Sequence, residues 1–436
     1  MQVEFILVSE LRPYPKNART HSKRQIRQLA NSIEKFGFCN PVLVDDENQI
    51  IAGHGRVEAA KVLGIDAVPT CRLSHLSEAE KRAYILADNK LAEQAGWDQE
   101  LLAIELQGLI DLDFDVDLTG FAMPEIDLIL EDAFEAKGEP SGPEDDVPEP
   151  APGPAVTQLG DLWISGNHRL LCGDARAQTA YDTLLDGAKA QFVFTDPPYN
   201  VAIDGNVCGL GRIRHREFAM ASGEMSEDEF TSFLQTVFGR LAENTIDGSI
   251  HDICMDWRHA SEMLAAGRAV YSELKNLCVW NKSNAGMGSF YRSKHELVFV
   301  WKNGSAAHIN NFELGQHGRN RTNVWDYPGT SSMRAGRLEE LAMHPTVKPV
   351  AMVVDAMKDC SRRGGLVLDP FCGSGTILIA AERAGRKARA VEIDPTYVDV
   401  AVRRWQNYTG KAAVLAASGE TFEMVEEQRT ALPAAA

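Results

Sequence analysis

Residues 195–200 read Thr-Asp-Pro-Pro-Tyr-Asn, and an acid, two prolines and an aromatic in succession are suited to handling the exocyclic amino group of a nucleobase. The lone pair of such a nitrogen is delocalised into the ring, so it is a poor nucleophile until something localises it. The carboxylate of Asp196 and a backbone carbonyl held rigid by Pro197 and Pro198 can accept both N–H bonds and draw the nitrogen towards tetrahedral geometry. Tyr199 offers a flat face on which an extruded base can stack. Taken alone, the string equally describes a strand ending in a proline turn capped by its acid.

Two further stretches favour the chemical reading. Residues 366–376, LVLDPFCGSGT, are an apolar run that stops at a glycine-rich turn and opens into a helical stretch. Residues 388–395, ARAVEIDP, are a second apolar run ending in an acid. Strand, loop, helix and strand in this order place a nucleotide-like ligand at the carboxyl edge of a parallel sheet. Gly373 and Gly375 let the backbone approach that ligand, and Glu392 can accept hydrogen bonds from both ribose hydroxyls. The turn has no lysine, which argues against a triphosphate cradle. A dinucleotide is the plainer alternative, but a sulfonium nucleoside needs no phosphate site and fits better.

With these residues in view, residues 156–410 resemble the β class of S-adenosylmethionine-dependent DNA amino-methyltransferases, in which the amino-binding motif precedes the cofactor loop. The resemblance makes Asp196, Pro197, Pro198 and Tyr199 the catalytic motif. It assigns Asp369, Phe371, Gly373, Gly375, Thr376, Glu392 and Ile393 to the cofactor. Asp174, in RLLCGDA, becomes the acid that contacts the cofactor's adenine, and Lys348, in HPTVKP, the lysine that faces its methionine carboxylate. Residues 278–301 and 323–329 also follow the family's pattern. The implied fold is α/β, a doubly wound, seven-stranded Rossmann-like sheet in permuted order. Its strands are expected at 169–172, 191–195, 249–255, 277–281, 296–301, 365–369 and 388–393. The implied activity is methyl transfer to N6 of a flipped adenine in double-stranded DNA, because the motif opens with Asp as in the adenine enzymes. N4 of cytosine is the runner-up. A DNA-binding protein whose methyltransferase half is a scaffold is the alternative from another class.

The chain has 44 Lys plus Arg against 62 Asp plus Glu, a net charge of −18 that would repel DNA if it were spread evenly. It is concentrated instead. Residues 98–150 hold 17 acids and one base, Lys137, which leaves the rest of the chain close to neutral. This block splits into an acidic helical segment, 98–134, and a proline-rich linker, 135–155, expected to be disordered. The tail, 411–436, reads as flexible. Sequence recognition is expected from two basic stretches, one with Arg212, Arg214 and Arg216 just after the catalytic motif, the other with Arg319 and Arg321.

Residues 1–97 form a separate unit, in which PVLV (41–44) and QIIA (49–52) read as paired strands and GHGR (53–56) opens a helix. A glycine turn with an arginine at a helix start is an anion site, so Gly53, Gly55 and Arg56 are candidates for a nucleotide or phosphate. The order of these pieces resembles the ParB-like N-terminal domain, a small α+β fold shared with sulfiredoxin. His54 stands where the sulfiredoxin chemistry needs a cysteine, which sets that activity aside. The eight cysteines include no CxxC pair, so no metal is expected. No apolar run is long enough to span a membrane, and a cytoplasmic monomer or homodimer is expected.

Overall fold

The computed structural model describes residues 2–112, 114–136, 144–201, 223–283, 290–312, 321–329 and 347–431. The chain divides into two units, residues 1–137 and 138–436.

The first unit is built on a four-stranded sheet. Its elements are β1 (Val3–Leu7), α1 (Lys23–Phe36), β2 (Val42–Val44), β3 (Ile50–Ala52), α2 (His54–Leu63), β4 (Ala67–Arg72) and α3 (Glu78–Gln94), with strand order β1-β4-β2-β3. The paired strands expected at 41–52 are β2 and β3, antiparallel. Val42, Val44, Ile50, Val57 and Val68 fill the core beneath α2. Helix α3 starts at a reciprocal cap in which Ser77 and Glu80 satisfy each other's backbone N–H groups. The acidic segment then folds as two helices, α4 (Gln99–Asp111) and α5 (Met123–Ala136), which bury Leu102, Leu106, Ile126 and Leu130 between them. It is not a separate body, because the Phe114 ring stacks on Phe36 of α1 at 6.1 Å.

The second unit carries the large sheet. In chain order come β5 (Leu162–Ser165), β6 (His168–Cys172), α6 (Gln178–Leu185), β7 (Ala190–Thr195), α7 (Glu227–Glu243), β8 (Thr245–Met255), α8 (Ala260–Val270), β9 (Glu273–Asn281), β10 (His295–Lys302) and β11 (Val324–Asp326). They are followed by α9 (Val350–Cys360), β12 (Leu366–Asp369), α10 (Thr376–Ala384), β13 (Lys387–Glu392), α11 (Pro395–Thr409), β14 (Val414–Leu415) and α12 (Phe422–Ala431). The strand order is β11-β9-β10-β8-β7-β12-β13-β6-β5-β14. The five central strands, β8 to β6, are parallel and covered on both faces, which is why they read as unbroken apolar runs. Phe192 and Phe194 of β7 face the side of α9, α10 and α11, while Val193 faces α6, α7 and α8.

All seven expected strands are present, and three short ones, β5, β11 and β14, extend the sheet to ten among the described residues. Two expectations fail. Part of the expected linker is docked on this unit: Glu144 pairs with Arg383 at 2.5 Å, its carbonyl accepts from Arg404, and Asp145 accepts the Val350 backbone N–H at 2.9 Å. Nor is the stretch after Thr409 a loose tail. Strand β14 pairs with β5, α12 buries Phe422 and Val425, and Arg429 bonds Asp161.

Candidate active site

Between β7 and β12 the chain changes direction. From β7 it crosses by α7 to β8 on one side, and from β12 by α10 to β13 on the other. At such a switch point the loops leaving two adjacent strands part and open a crevice at their carboxyl ends. Asp196 follows β7 and Asp369 ends β12, so both fall at that crevice. They are joined through one residue: Thr195 Oγ1 donates to Asp369 Oδ1 at 2.7 Å, and the Phe371 N–H donates to the same oxygen at 3.0 Å. Burial pushes the Asp369 carboxyl up to about 7 against these two donors.

The loop after Asp369 is shaped by two glycines in left-handed backbone. At Gly375 (φ +86°) a side chain would meet Cβ of Ala401 at 2.8 Å, so its absence lets α10 pack on α11. At Gly373 (φ +51°) a side chain would meet nothing within 4 Å, which leaves open space over the turn. Glu392, at the end of β13, accepts the Gly373 N–H at 2.8 Å and the Asp394 N–H at 2.9 Å. Burial raises its carboxyl. Asp174, past the end of β6, is shared with Arg176, which bonds both its oxygens and holds its carboxyl below the usual range. Thr376 turns its hydroxyl to Arg404 at 3.1 Å, Phe371 packs against Phe233, and the Ile393 carbonyl accepts from Cys172. Four acids, Asp174, Asp196, Asp369 and Glu392, therefore follow or end four neighbouring parallel strands.

At Asp196 both oxygens are engaged. Tyr199 Oη donates to Oδ1 at 2.5 Å, and Lys348 Nζ lies 2.5 Å from Oδ2. Burial raises the Asp196 carboxyl, and Lys348 only partly offsets this. Lys348, expected to face a cofactor carboxylate, is ion-paired to Asp196 and, at 3.1 Å, to Glu296. Burial alone would lower its ammonium, but the two acids outweigh that and keep it charged. Glu296 was not among the expected site residues. Its signal was available, since a carboxylate leading directly into the apolar run of β10 requires a partner when buried. Pro197 is buried, and beyond it the Asn200 side chain donates to the Met225 carbonyl and accepts from the N–H groups of Gly223 and Met225.

Of the expected DNA contacts, Arg212, Arg214, Arg216 and Arg319 lie outside the described residues. Arg321 is held against α9: its guanidinium stands 3.3 Å from Asp359 and 3.7 Å from Asp355, lies over the Trp325 ring at 4.7 Å, and is 14% exposed. In the first unit Gly53 (φ +103°) caps α2, and Arg56 folds back to donate to the Pro41 carbonyl. Gly55 serves packing, because a side chain there would meet Leu29 and His21 at 3.0–3.1 Å. Among the described residues no group of three metal-ligating side chains occurs, and no helix is long and apolar enough to cross a membrane.

The family described as DNA methylase matches residues 190–403, which holds both strand ends of the crevice and Lys348. The ParB N-terminal domain matches residues 1–90, and the ParB-methyltransferase HTH domain matches residues 100–159, where composition alone suggests only acidic helix and linker. The ParB-like nuclease domain-containing protein YnaK of Escherichia coli (strain K12) is 49% identical over 82 residues, 19% of this chain and 94% of that protein. The type II methyltransferase M.ScaI of Streptomyces caespitosus is 39% identical over 87 residues, 20% of this chain and 29% of that enzyme. Among solved structures, the putative DNA modification methylase TTHA0409 of Thermus thermophilus, complexed with S-adenosyl-L-methionine, is 21% identical, with 58% of this chain and 96% of that one covered and a TM-score of 0.39. The chain thus carries a DNA methylase domain, matched over residues 190–403, behind a ParB N-terminal domain.

Proposed function

We propose that the second unit transfers a methyl group from S-adenosylmethionine to the N6 amino group of an adenine flipped out of double-stranded DNA. The observation that carries this reading is the direct tie, through Thr195, between the acceptor-side acid Asp196 and the cofactor-side acid Asp369. The residues present suit the cofactor. Gly373 leaves open space beside a glycine turn, Glu392 is fixed at its mouth to receive hydroxyls, and four acids favour a cationic ligand. When bound, S-adenosylmethionine supplies a methyl group already activated on sulfonium sulfur.

The chain's own task is then orientation and charge. Asp196 would accept an amino N–H and neutralise positive charge appearing on the nitrogen, and its raised carboxyl suits it to take the proton that nitrogen must lose. Tyr199 would stack on the base. Alignment of this kind lowers a barrier by roughly 7 kcal/mol or more. Adenine is preferred over cytosine because the motif opens with Asp196. For the first unit we propose DNA engagement, with phosphate binding at the turn of Gly53 and Arg56. A buried Arg56 Nε without a hydrogen-bond partner supports the phosphate site.

Sequencing with modification detection, on DNA from cells expressing the chain, tests base and site together. N6-methyladenine at one recurring motif is the expected result. N4-methylcytosine would move the assignment to the other amino group, and unmodified DNA would leave the scaffold reading in its place.

A further inference from the structure

The acceptor acid has a neighbour of its own charge. Glu296 lies one residue inside β10, ahead of the apolar run Leu297 to Trp301, and its side chain is 12% exposed. Its Oε1 accepts from Lys282 Nζ at 2.9 Å, and its Oε2 stands 3.1 Å from Lys348 Nζ, which also holds Asp196 Oδ2 at 2.5 Å. Two carboxylates and two ammonium groups thus balance beside two rings: Lys282 lies 4.4 Å from the Trp280 centroid, and Lys348 lies 5.6 Å from that of Tyr199. Strand pairing fixes the arrangement, because Glu296 is in register with Trp280 of β9. A lysine held by Asp196 alone would oppose cationic charge on any amino nitrogen gripped by that same carboxylate. A second carboxylate on the lysine relieves the conflict.

We propose that Glu296 is a positioning residue for methyl transfer: as second counter-ion to Lys348, it keeps the ammonium in place while a base amino group takes over Asp196 Oδ2. The inference rests on the methyltransferase reading above. The other titratable groups facing Asp196 are Tyr199, Cys254 of β8 and Asp369 of β12. Asp369 is occupied by Thr195 and Phe371, and burial keeps Cys254 a neutral thiol, so Glu296 is the one that supplies the second negative charge.

Glu296→Gln removes the charge and keeps the size, whereas Glu296→Asp keeps the charge. In the full chain, S-adenosylmethionine affinity by calorimetry should be retained in the Gln variant. Its single-turnover transfer to DNA should fall by about tenfold to a hundredfold, with the Asp variant recovering part of the loss. Without Glu296, Lys348 binds Asp196 more strongly and Asp196 titrates at lower pH. The acid limb of the single-turnover profile should therefore move down. The Asp196 carboxyl 13C resonance of the ligand-free protein, assigned against Asp196→Asn, should move with it. A Gln variant at the parent rate, or a slower one whose acid limb and resonance stay in place, would overturn the assignment while leaving the methyltransferase reading intact. A parent chain that methylates no DNA would overturn that reading and this inference with it.

Discussion

Two glycine turns, one in each unit, are spelled alike and built differently. Gly53-His54-Gly55-Arg56 and Gly373-Ser374-Gly375-Thr376 both run into a helix from a left-handed glycine. In the methylase unit the two glycines divide the labour: Gly375 admits the neighbouring helix and Gly373 leaves space open, with Glu392 bonded to its N–H. In the ParB unit that space is filled from within. Arg56 curls over Gly53, and Leu29 and His21 press on Gly55. A glycine-rich turn therefore signals close approach, and only the packing around it says whether the turn offers open backbone or an arginine folded over it.

Breaking the methylase side should have the largest effect. Asp196→Ala should lower transfer to DNA by about a hundredfold or more while the cofactor still binds in calorimetry. Next comes Asp369. Its carboxyl is raised from the ordinary 3.8 to about 7, so its contribution to stability is fully present below the lower value and lost as pH rises through the higher one. Asp369→Asn should therefore stabilise the ligand-free protein at pH 8 relative to pH 5, by up to about 2–3 kcal/mol, in urea unfolding at the two pH values. Gly375→Ala should cost about 1–3 kcal/mol in the same assay, because both φ and the Ala401 contact resist it. Gly55→Ala, which meets flexible side-chain ends, should cost about 1 kcal/mol or less. Tyr199→Ala should weaken binding of the flipped base by about 1–3 kcal/mol, read as DNA affinity of the cofactor-loaded chain. Arg56→Ala should abolish retention of radiolabelled nucleotide by the full chain, and absence of retention by the parent would retire that site.

How much of this was legible in the chain follows from burial. Five of the seven expected strands could be read because parallel strands covered on both faces must be apolar along their whole length. Residues such as Asp196 and Asp369 mark where that cover ends. Strands β5, β11 and β14 were not, since two to four residues at a sheet margin carry too little pattern. Composition misled at 144–150, where acids and prolines imply a solvated tether. The partners that dock it, Arg383 and Arg404, lie over two hundred residues away, and no local pattern reveals them. The alanine-rich end hid Phe422 and Val425, which are enough to anchor a helix. Lys348 was found, but its pairing with Asp196 and Glu296 was not, because these come from the loop after β7 and from β10 and meet it only in the folded sheet.

The central claim is that one edge of the sheet holds an amino group in Asp196 and a methyl donor beside Asp369. Incubating the purified chain and its Asp196→Ala variant with duplex DNA and tritium-labelled S-adenosylmethionine tests it directly. The account predicts that both proteins bind the cofactor and that only the parent leaves label on DNA. Label transferred by the variant at the parent rate would contradict it.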